Sequence, residues 1–407
     1  MKRILFIVLI AIIGILVAEE AFPMLNLDEV SRDYLSDFKL TKTINLEGIG
    51  HTCAIAKDSG DMVVMTETEQ NYLLHYIDID GNILWEKEYE FPEDGNYGYR
   101  MYISDNGATI SVIRAYGESV KTFILDRNGN ELFSKVGRHH YYLPSKDGQY
   151  ITKVPVRCND KNQKGKLFTR TGQELEYDLP DDIVAKYIIT SFIEKDIFIA
   201  LIAYRNSEDL VKRLVGYNII GSDITLSWQR DIKVHVTDMS YTYHIKSNKD
   251  YFVIRSNDKR ANVIYIIDHS GDILFEYKEG SGSFGITQNN DIILNHSSPT
   301  DLRMIDFDTF SEIKLGVTIQ RKKQANFIED TYEIGENLFL SMYRTAYELK
   351  TQQHLNYQSL IYNAEKKKLF SAAPYLVYIE KENSKDVIVG IDQFSGITIN
   401  IFRGVKK

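Results

Sequence analysis

One phrase recurs along this chain and restricts what it can fold into. It is an alternating apolar run, an Asp, a Gly three residues later and an aromatic residue seven after the Asp. The full copies are Tyr76-Ile-Asp78-Ile-Asp-Gly81-Asn-Ile-Leu-Trp85, Ile124-Leu-Asp126-Arg-Asn-Gly129-Asn-Glu-Leu-Phe133 and Ile266-Ile-Asp268-His-Ser-Gly271-Asp-Ile-Leu-Phe275. Looser copies run from Phe168 through Gly172 to Tyr177 and from Tyr217 through Gly221 to Trp228. Ile305-Asp306-Phe-Asp308 and Ile361-Tyr362-Asn363 keep the strand pattern and lose the Gly. An Asp or Asn at the start of a turn accepts hydrogen bonds from backbone N–H groups two residues on, and Gly supplies the positive φ of a tight turn. Period-two alternation on both sides sends one face of each strand inward. The phrase spells a β-hairpin.

The turn glycines at 81, 129, 172, 221 and 271 stand 48, 43, 49 and 50 residues apart, the period of four-stranded propeller blades. Runs before each hairpin supply the other two strands: Tyr99 to Ser104 and Ala108 to Ala115, turned by Asp105-Asn-Gly107, precede the Asp126 hairpin. A final segment, 375–402, offers three strands rather than four, and 38–46 is an unattached strand that completes it. A blade shared by both termini closes the ring and removes exposed sheet edges. The expected fold is therefore all-β, an eight-bladed β-propeller closed by pairing of the N- and C-terminal strands. The 365 residues from 38 to 402 allow about 46 per blade. Seven blades is the alternative, because 337–402 is the least regular stretch.

These repeats resemble the extracytoplasmic β-propellers of the PQQ-like, NHL-like and WD40-like groups over nearly the whole mature chain, with spacing nearest the NHL-like repeats. The resemblance implies binding modules mixed with a few enzymes, so it licenses no activity by itself. Quinoprotein dehydrogenases of this shape carry an adjacent Cys pair and Trp at most blade ends. Here Cys53 and Cys158 are 105 positions apart and Trp occurs twice, so no quinone cofactor is expected. The two Cys read as separately buried thiols, with a single disulfide as the alternative.

Residues 1–18 are Met-Lys-Arg followed by fifteen apolar or small residues, and Glu19-Glu20 come next. This is the build of a signal peptide, or of an N-terminal anchor if it stays uncleaved. Fifteen helical residues reach about 22 Å, short of a hydrocarbon core of about 30 Å, which favours cleavage. Either way the mature chain is expected to be extracytoplasmic, periplasmic or secreted, with membrane contact only through this segment. Residues 19–37 read as a linker with a short helix over Leu27 to Phe38, and 38–407 as a single propeller domain.

Lys and Arg total 48 against 57 Asp and Glu, a net charge of −9. Nucleic-acid binders show a basic excess, so that class is not expected. Asp78-Ile-Asp80-Gly81 resembles a calcium loop only briefly, since Gly falls fourth where an EF-hand needs it sixth. The adjacent His139 and His140 would point to opposite faces of a strand, whereas a metal needs three or four convergent ligands. No nucleophile elbow, P-loop, zinc-protease or dinucleotide motif is present. No catalytic residue, metal or cofactor is assigned.

The segments that open each blade's first strand are rich in Tyr, His and Arg. His51, Tyr99, Arg100, His139, His140, Tyr241, Tyr243 and Phe284 are expected near the mouth of a central channel. Stacking faces and donors of this kind suit a polar ligand, a glycan or a protein partner. The expected function is a non-catalytic extracytoplasmic binding or protein-interaction scaffold. The alternative is a propeller enzyme acting on carbohydrate or sulfated substrates at the channel mouth, with His139 or His140 as general base. Trp85, Phe133, Tyr177 and Phe275 are expected to wedge between adjacent blades.

Overall fold

The computed structural model describes residues 24–25 and 38–404, apart from 91–96, 117–118, 139–140, 155, 159–163, 181–185, 195, 207–208, 233–237, 247–248, 258–261, 279–281, 287–291, 297–299, 307–308, 310, 320–326, 336–337, 345–356, 364–367, 373–374, 380–385 and 393–396. The expected signal peptide or anchor and the Leu27 to Asp37 part of the expected helix lie outside the described residues; Phe38 opens a strand.

The described elements are β-strands, beginning with β1 (Met24–Leu25) and β2 (Phe38–Leu46). Next, β3 (Ile49–Ile55), β4 (Met62–Glu67), β5 (Asn71–Ile77) and β6 (Ile83–Glu90) pair in that order as one antiparallel sheet. The same arrangement follows in β7 (Tyr97–Ile103), β8 (Thr109–Tyr116), β9 (Ser119–Asp126) and β10 (Glu131–Arg138). A third sheet holds β11 (Tyr141–Pro144) and β12 (Tyr150–Val154). The chain then runs through β13 (Val156–Cys158), which leaves the sheet, and returns as β14 (Gly165–Thr169) and β15 (Glu174–Tyr177).

The fourth sheet comprises β16 (Lys186–Glu194), β17 (Ile197–Asn206), β18 (Asp209–Ile220) and β19 (Asp223–Ile232), with β13 antiparallel on the β16 edge. β20 (Asp238–Lys246), β21 (Lys249–Asn257), β22 (Asn262–Asp268) and β23 (Ile273–Lys278) make the fifth. β24 (Gly282–Ile286), β25 (Ile292–His296), β26 (Thr300–Ile305) and β27 (Glu312–Ile319) make the sixth. The seventh contains β28 (Phe327–Gly335), β29 (Leu338–Arg344), β30 (Tyr357–Asn363) and β31 (Lys368–Ala372), with β1 parallel to β31. The last is β32 (Tyr375–Ile379), β33 (Val387–Asp392) and β34 (Ile397–Gly404), completed by β2. Two of these sheets have five strands where the repeat predicts four.

The chain divides into two compact units, one of Asp37–Ser281 with Val377–Lys407 and one of Gly282–Leu376 with the N-terminal residues. In the first, β2 runs antiparallel to β34, pairing Leu40 with Phe402, Ile44 with Ile399 and Leu46 with Ile397. Residues from the two ends of the chain thus share one sheet, as the unattached strand at 38–46 predicts.

The turns explain the repeated phrase. At Asp78 the backbone N–H of Gly81 donates to the Asp78 carbonyl at 2.9 Å, and the Asp78 carboxylate accepts the Asn82 backbone N–H at 2.7 Å. Asp126 and Asp268 form the same turn, and Thr169 replaces the carboxylate with its hydroxyl in the Gly172 copy. A bulge follows each Asp copy, so that Trp85 stands opposite Tyr76, Phe133 opposite Ile124 and Phe275 opposite Ile266. Of the calcium-like acids at 78–82, Asp78 serves as the turn acceptor and Asp80 pairs with Arg403.

In the first unit the middle strands are apolar because neighbouring sheets stack on them. β4 is buried along nearly its whole length, while outer strand β6 alternates between exposed and covered. Val63, Met65, Leu74, Tyr76, Tyr99, Ile110 and Val112 form the core between the first two sheets. Leu175, Tyr177, Phe198, Val215 and Tyr217 do the same between the third and fourth. Each such side chain contributes about 1.5–3 kcal/mol by leaving water.

Candidate functional site

Within the first unit, neighbouring sheets are joined by two sets of contacts built from the repeat. On the outer strands, the turn glycine of one sheet lies against the aromatic residue of the sheet before it. A Cβ on Gly129 would come 3.0 Å from the Trp85 ring, one on Gly172 3.0 Å from Phe133, and one on Gly271 2.4 Å from Trp228. The Trp85 indole N–H donates to the Arg127 carbonyl at 2.7 Å, and Arg230 reaches Asp272 at 2.6 Å. Gly81 meets Ile44 and Ile401 in the same way, and Arg403 pairs with Asp80 beside it.

Gly221 departs from this pattern. A Cβ there would meet nothing within 4 Å. The chain turns in two residues between Ile220 and Asp223, and the extended β18–β19 hairpin carries Ile220 out to 73% exposure. Tyr177, the aromatic expected at this joint, instead packs edge-on to Phe198 and Tyr217 of the next sheet at 4.8 and 5.0 Å.

At the opposite ends, the turns between the first and second strands of the first three sheets are laced together. The Asp58 and Ser59 backbone N–H groups donate to the Asp105 carbonyl, and Asp105 N–H donates to Lys146. Asp61, 1% exposed, accepts the Tyr76 hydroxyl at 2.7 Å and the Arg127 guanidinium at 2.9 Å. Burial and the Asp61 carboxylate push the Tyr76 hydroxyl well above its ordinary pKa, so it stays a donor.

A further polar line crosses β4, β5 and β6. The Thr66 hydroxyl lies 3.1 Å from His75 Nε2, and His75 Nδ1 lies 2.7 Å from Glu86 Oε1. A carboxylate only accepts, so Nδ1 carries the proton and Nε2 accepts from Thr66. His75 is 2% exposed, and burial lowers its pKa against the opposing pull of Glu86. Thr66 is wholly buried, so the order hydroxyl, imidazole, carboxylate resembles a nucleophilic triad without access to substrate. Sequence reading passed over this line, because its three residues lie in different strands and follow no motif.

The residues predicted from sequence for ligand contact fall on first strands where described. His51 is on β3, Tyr99 and Arg100 on β7, Tyr241 and Tyr243 on β20, and Phe284 on β24 of the other unit. His139 and His140 lie outside the described residues. Alternation separates Tyr99 from Arg100. Tyr99 is 4% exposed and its ring centroid is 4.7 Å from that of Tyr72, so it belongs to the core. Arg100 is exposed, and its guanidinium carbon lies 5.4 Å from the Tyr141 ring centroid on β11, the first strand of the adjacent sheet. Cys53 is half-buried on β3, and Cys158 ends β13 in a different sheet. A shallow recess of about 270 Å³ beside Thr68, Gln70 and Glu88 coincides with none of the predicted positions. Among the described residues, no three His, Cys, Asp or Glu side chains gather as metal ligands.

No family model matches the sequence, and no curated protein does. Solved structures do. The Dos1 propeller covers 91% of this chain and 97% of its own, at TM-score 0.52 and 12% identity. A eukaryotic initiation factor covers 89% and 92%, at TM-score 0.50 and 8% identity. The WD40 domain of SCAP from fission yeast covers 91% and 98%, at TM-score 0.47 and 9% identity. With its succession of antiparallel sheets and its likeness to the Dos1 propeller, the chain is an all-β protein with the β-propeller fold.

Proposed function

We propose that the chain is an eight-bladed propeller closed where β2 joins β34, exported by residues 1–18, and that it works as a non-catalytic binding or protein-interaction scaffold. The observation that carries this reading is how the repeat uses its polar side chains. Asp61, Tyr76, Asp126, Arg127 and Arg230 are committed to turns and sheet joints. Beside their charged residues the outer strands also expose aliphatics: Ile83 and Ile273, two residues before the aromatic, are 43% and 41% exposed, and Leu226 at the same place is 47% exposed. Leu84 and Leu274, one residue on, are 49% and 41% exposed. Isolated exposed aliphatics are ordinary, but repetition at one position of a repeat supports a surface for contact.

The partners that fit are a polar ligand, a glycan or a protein, with membrane contact only through the N-terminal segment. A thermal-shift screen of glycans and metabolites on residues 22–407 tests the reading. A bound ligand at one hundred times its Kd adds about 2.7 kcal/mol of stability. Turnover of a glycan or sulfate ester that disappears in His140→Ala would replace the scaffold with the enzyme alternative.

A further inference from the structure

We infer that Arg100 and Tyr141 form a recognition point for an oxyanion, a carboxylate or a sulfate, on the face built from the first strands. The inference rests on the binding-scaffold reading and names the ligand chemistry of one position. Its starting point is how five of the described arginines are used in a chain of net charge −9. Arg127, Arg213, Arg230 and Arg403 each pair with an Asp, and Arg170 donates to the Ala108 carbonyl at 2.9 Å. These five serve the fold, within a sheet or across a joint.

Among the described residues Arg100 has no such oxygen. It is exposed, and its described contact is the ring of Tyr141 at 5.4 Å. The ring spans the joint between β7 and β11, so two adjacent sheets hold the pair together. A guanidinium resting over an aromatic face keeps its charge and loses little hydrogen bonding, because the N–H groups lie in the guanidinium plane and point outward. That edge matches two oxygens of one carboxylate or sulfate. Lys121 and Lys135 also lie over rings, at 4.5 and 4.6 Å, but they sit on β9 and β10 and offer no planar fork. Among the described residues, Arg100 is thus a cation that the fold positions without pairing it with a carboxylate.

Isothermal titration of the full chain with sodium sulfate, sodium acetate and sodium glucuronate, at constant ionic strength in chloride, tests the site. At least one of the three is expected to bind in preference to chloride, and the comparison between them separates sulfate from carboxylate. Arg100→Ala should weaken binding tenfold or more, Arg100→Lys several-fold, and Tyr141→Phe hardly at all. Melting curves establish that the variants fold; Arg100 is exposed, so both of its variants should. Equal oxyanion affinity in the parent and Arg100→Ala, or no binding by any of the three, overturns the site. If either happens while neutral ligands still bind the parent and Arg100→Ala alike, the scaffold reading stands and only the oxyanion site falls.

Discussion

Gly129 lies on the face of Trp85, a residue of the preceding sheet, and any Cβ at position 129 would come 3.0 Å from the indole. The glycine is therefore required twice, by its φ of +81° and by its neighbour. Gly221, at φ +63°, is required only by the first. Gly129→Ala should cost about 2–4 kcal/mol, from left-handed strain and a displaced ring. Gly221→Ala should cost about 1–2 kcal/mol from strain alone. Urea unfolding of the two variants measures the difference, and equal costs would remove the seam from the explanation of the repeat.

The Trp85 indole donates to the Arg127 carbonyl at 2.7 Å and stacks on Tyr76 at 5.4 Å between centroids. Trp85→Phe keeps a ring and loses the bond, for about 1 kcal/mol. Trp85→Ala loses both, for about 3 kcal/mol. Unfolding midpoints of the pair should keep this order; a larger loss in the Phe variant speaks against the packing role.

Much of this was legible before the structure. Asp, Gly and alternation spell each hairpin, and the leftover strand at 38–46 points to β34. The aromatics were expected between adjacent sheets; what could not be read is that Trp85 and Phe133 each meet the turn glycine of the following sheet. One copy of the phrase looks the same whether Trp85 covers its own turn or that of Gly129, and only the packing distinguishes them. Nor does sequence show that Tyr99 turns inward and Arg100 outward, because a one-residue shift of register exchanges the two. β13 was missed for a related reason. Val156–Cys158 is too short to announce a strand, and its partner β16 lies in the next sheet.

Asp61 is buried with the Tyr76 hydroxyl and Arg127 as partners, while the Arg127 side chain is 51% exposed. Arg127→Ala leaves the carboxylate in place without its cation. The cost should reach about 2–3 kcal/mol, below that of a fully buried pair because water reaches the arginine side. Arg127→Lys should recover part of it. Chemical unfolding of both variants checks the order, and no loss in the Ala variant would mean that the bond to Tyr76 alone satisfies Asp61.

His75 is held neutral by burial, its pKa below the usual 6.5. The unfolded chain therefore takes up a proton at this residue more readily than the folded one. The resulting stability is fully present above pH 6.5 and falls as pH drops below it toward the folded value. His75→Gln removes this term. Between pH 7.5 and 5.0 the parent should lose more of its urea midpoint than the variant; parallel losses would show that His75 is not the titrating group.

The central claim is that the two ends of the chain are held in one sheet, with Asn45 opposite Thr398 and their side chains bonded at 3.0 Å. Antiparallel partners of this kind lie close enough for a disulfide. The direct measurement is oxidation of Asn45→Cys with Thr398→Cys, in a chain carrying Cys53→Ser and Cys158→Ser. The account predicts an intramolecular bond, seen as faster migration on a non-reducing gel and a raised unfolding midpoint. Two thiols that stay reduced, or that link only between molecules, would contradict it.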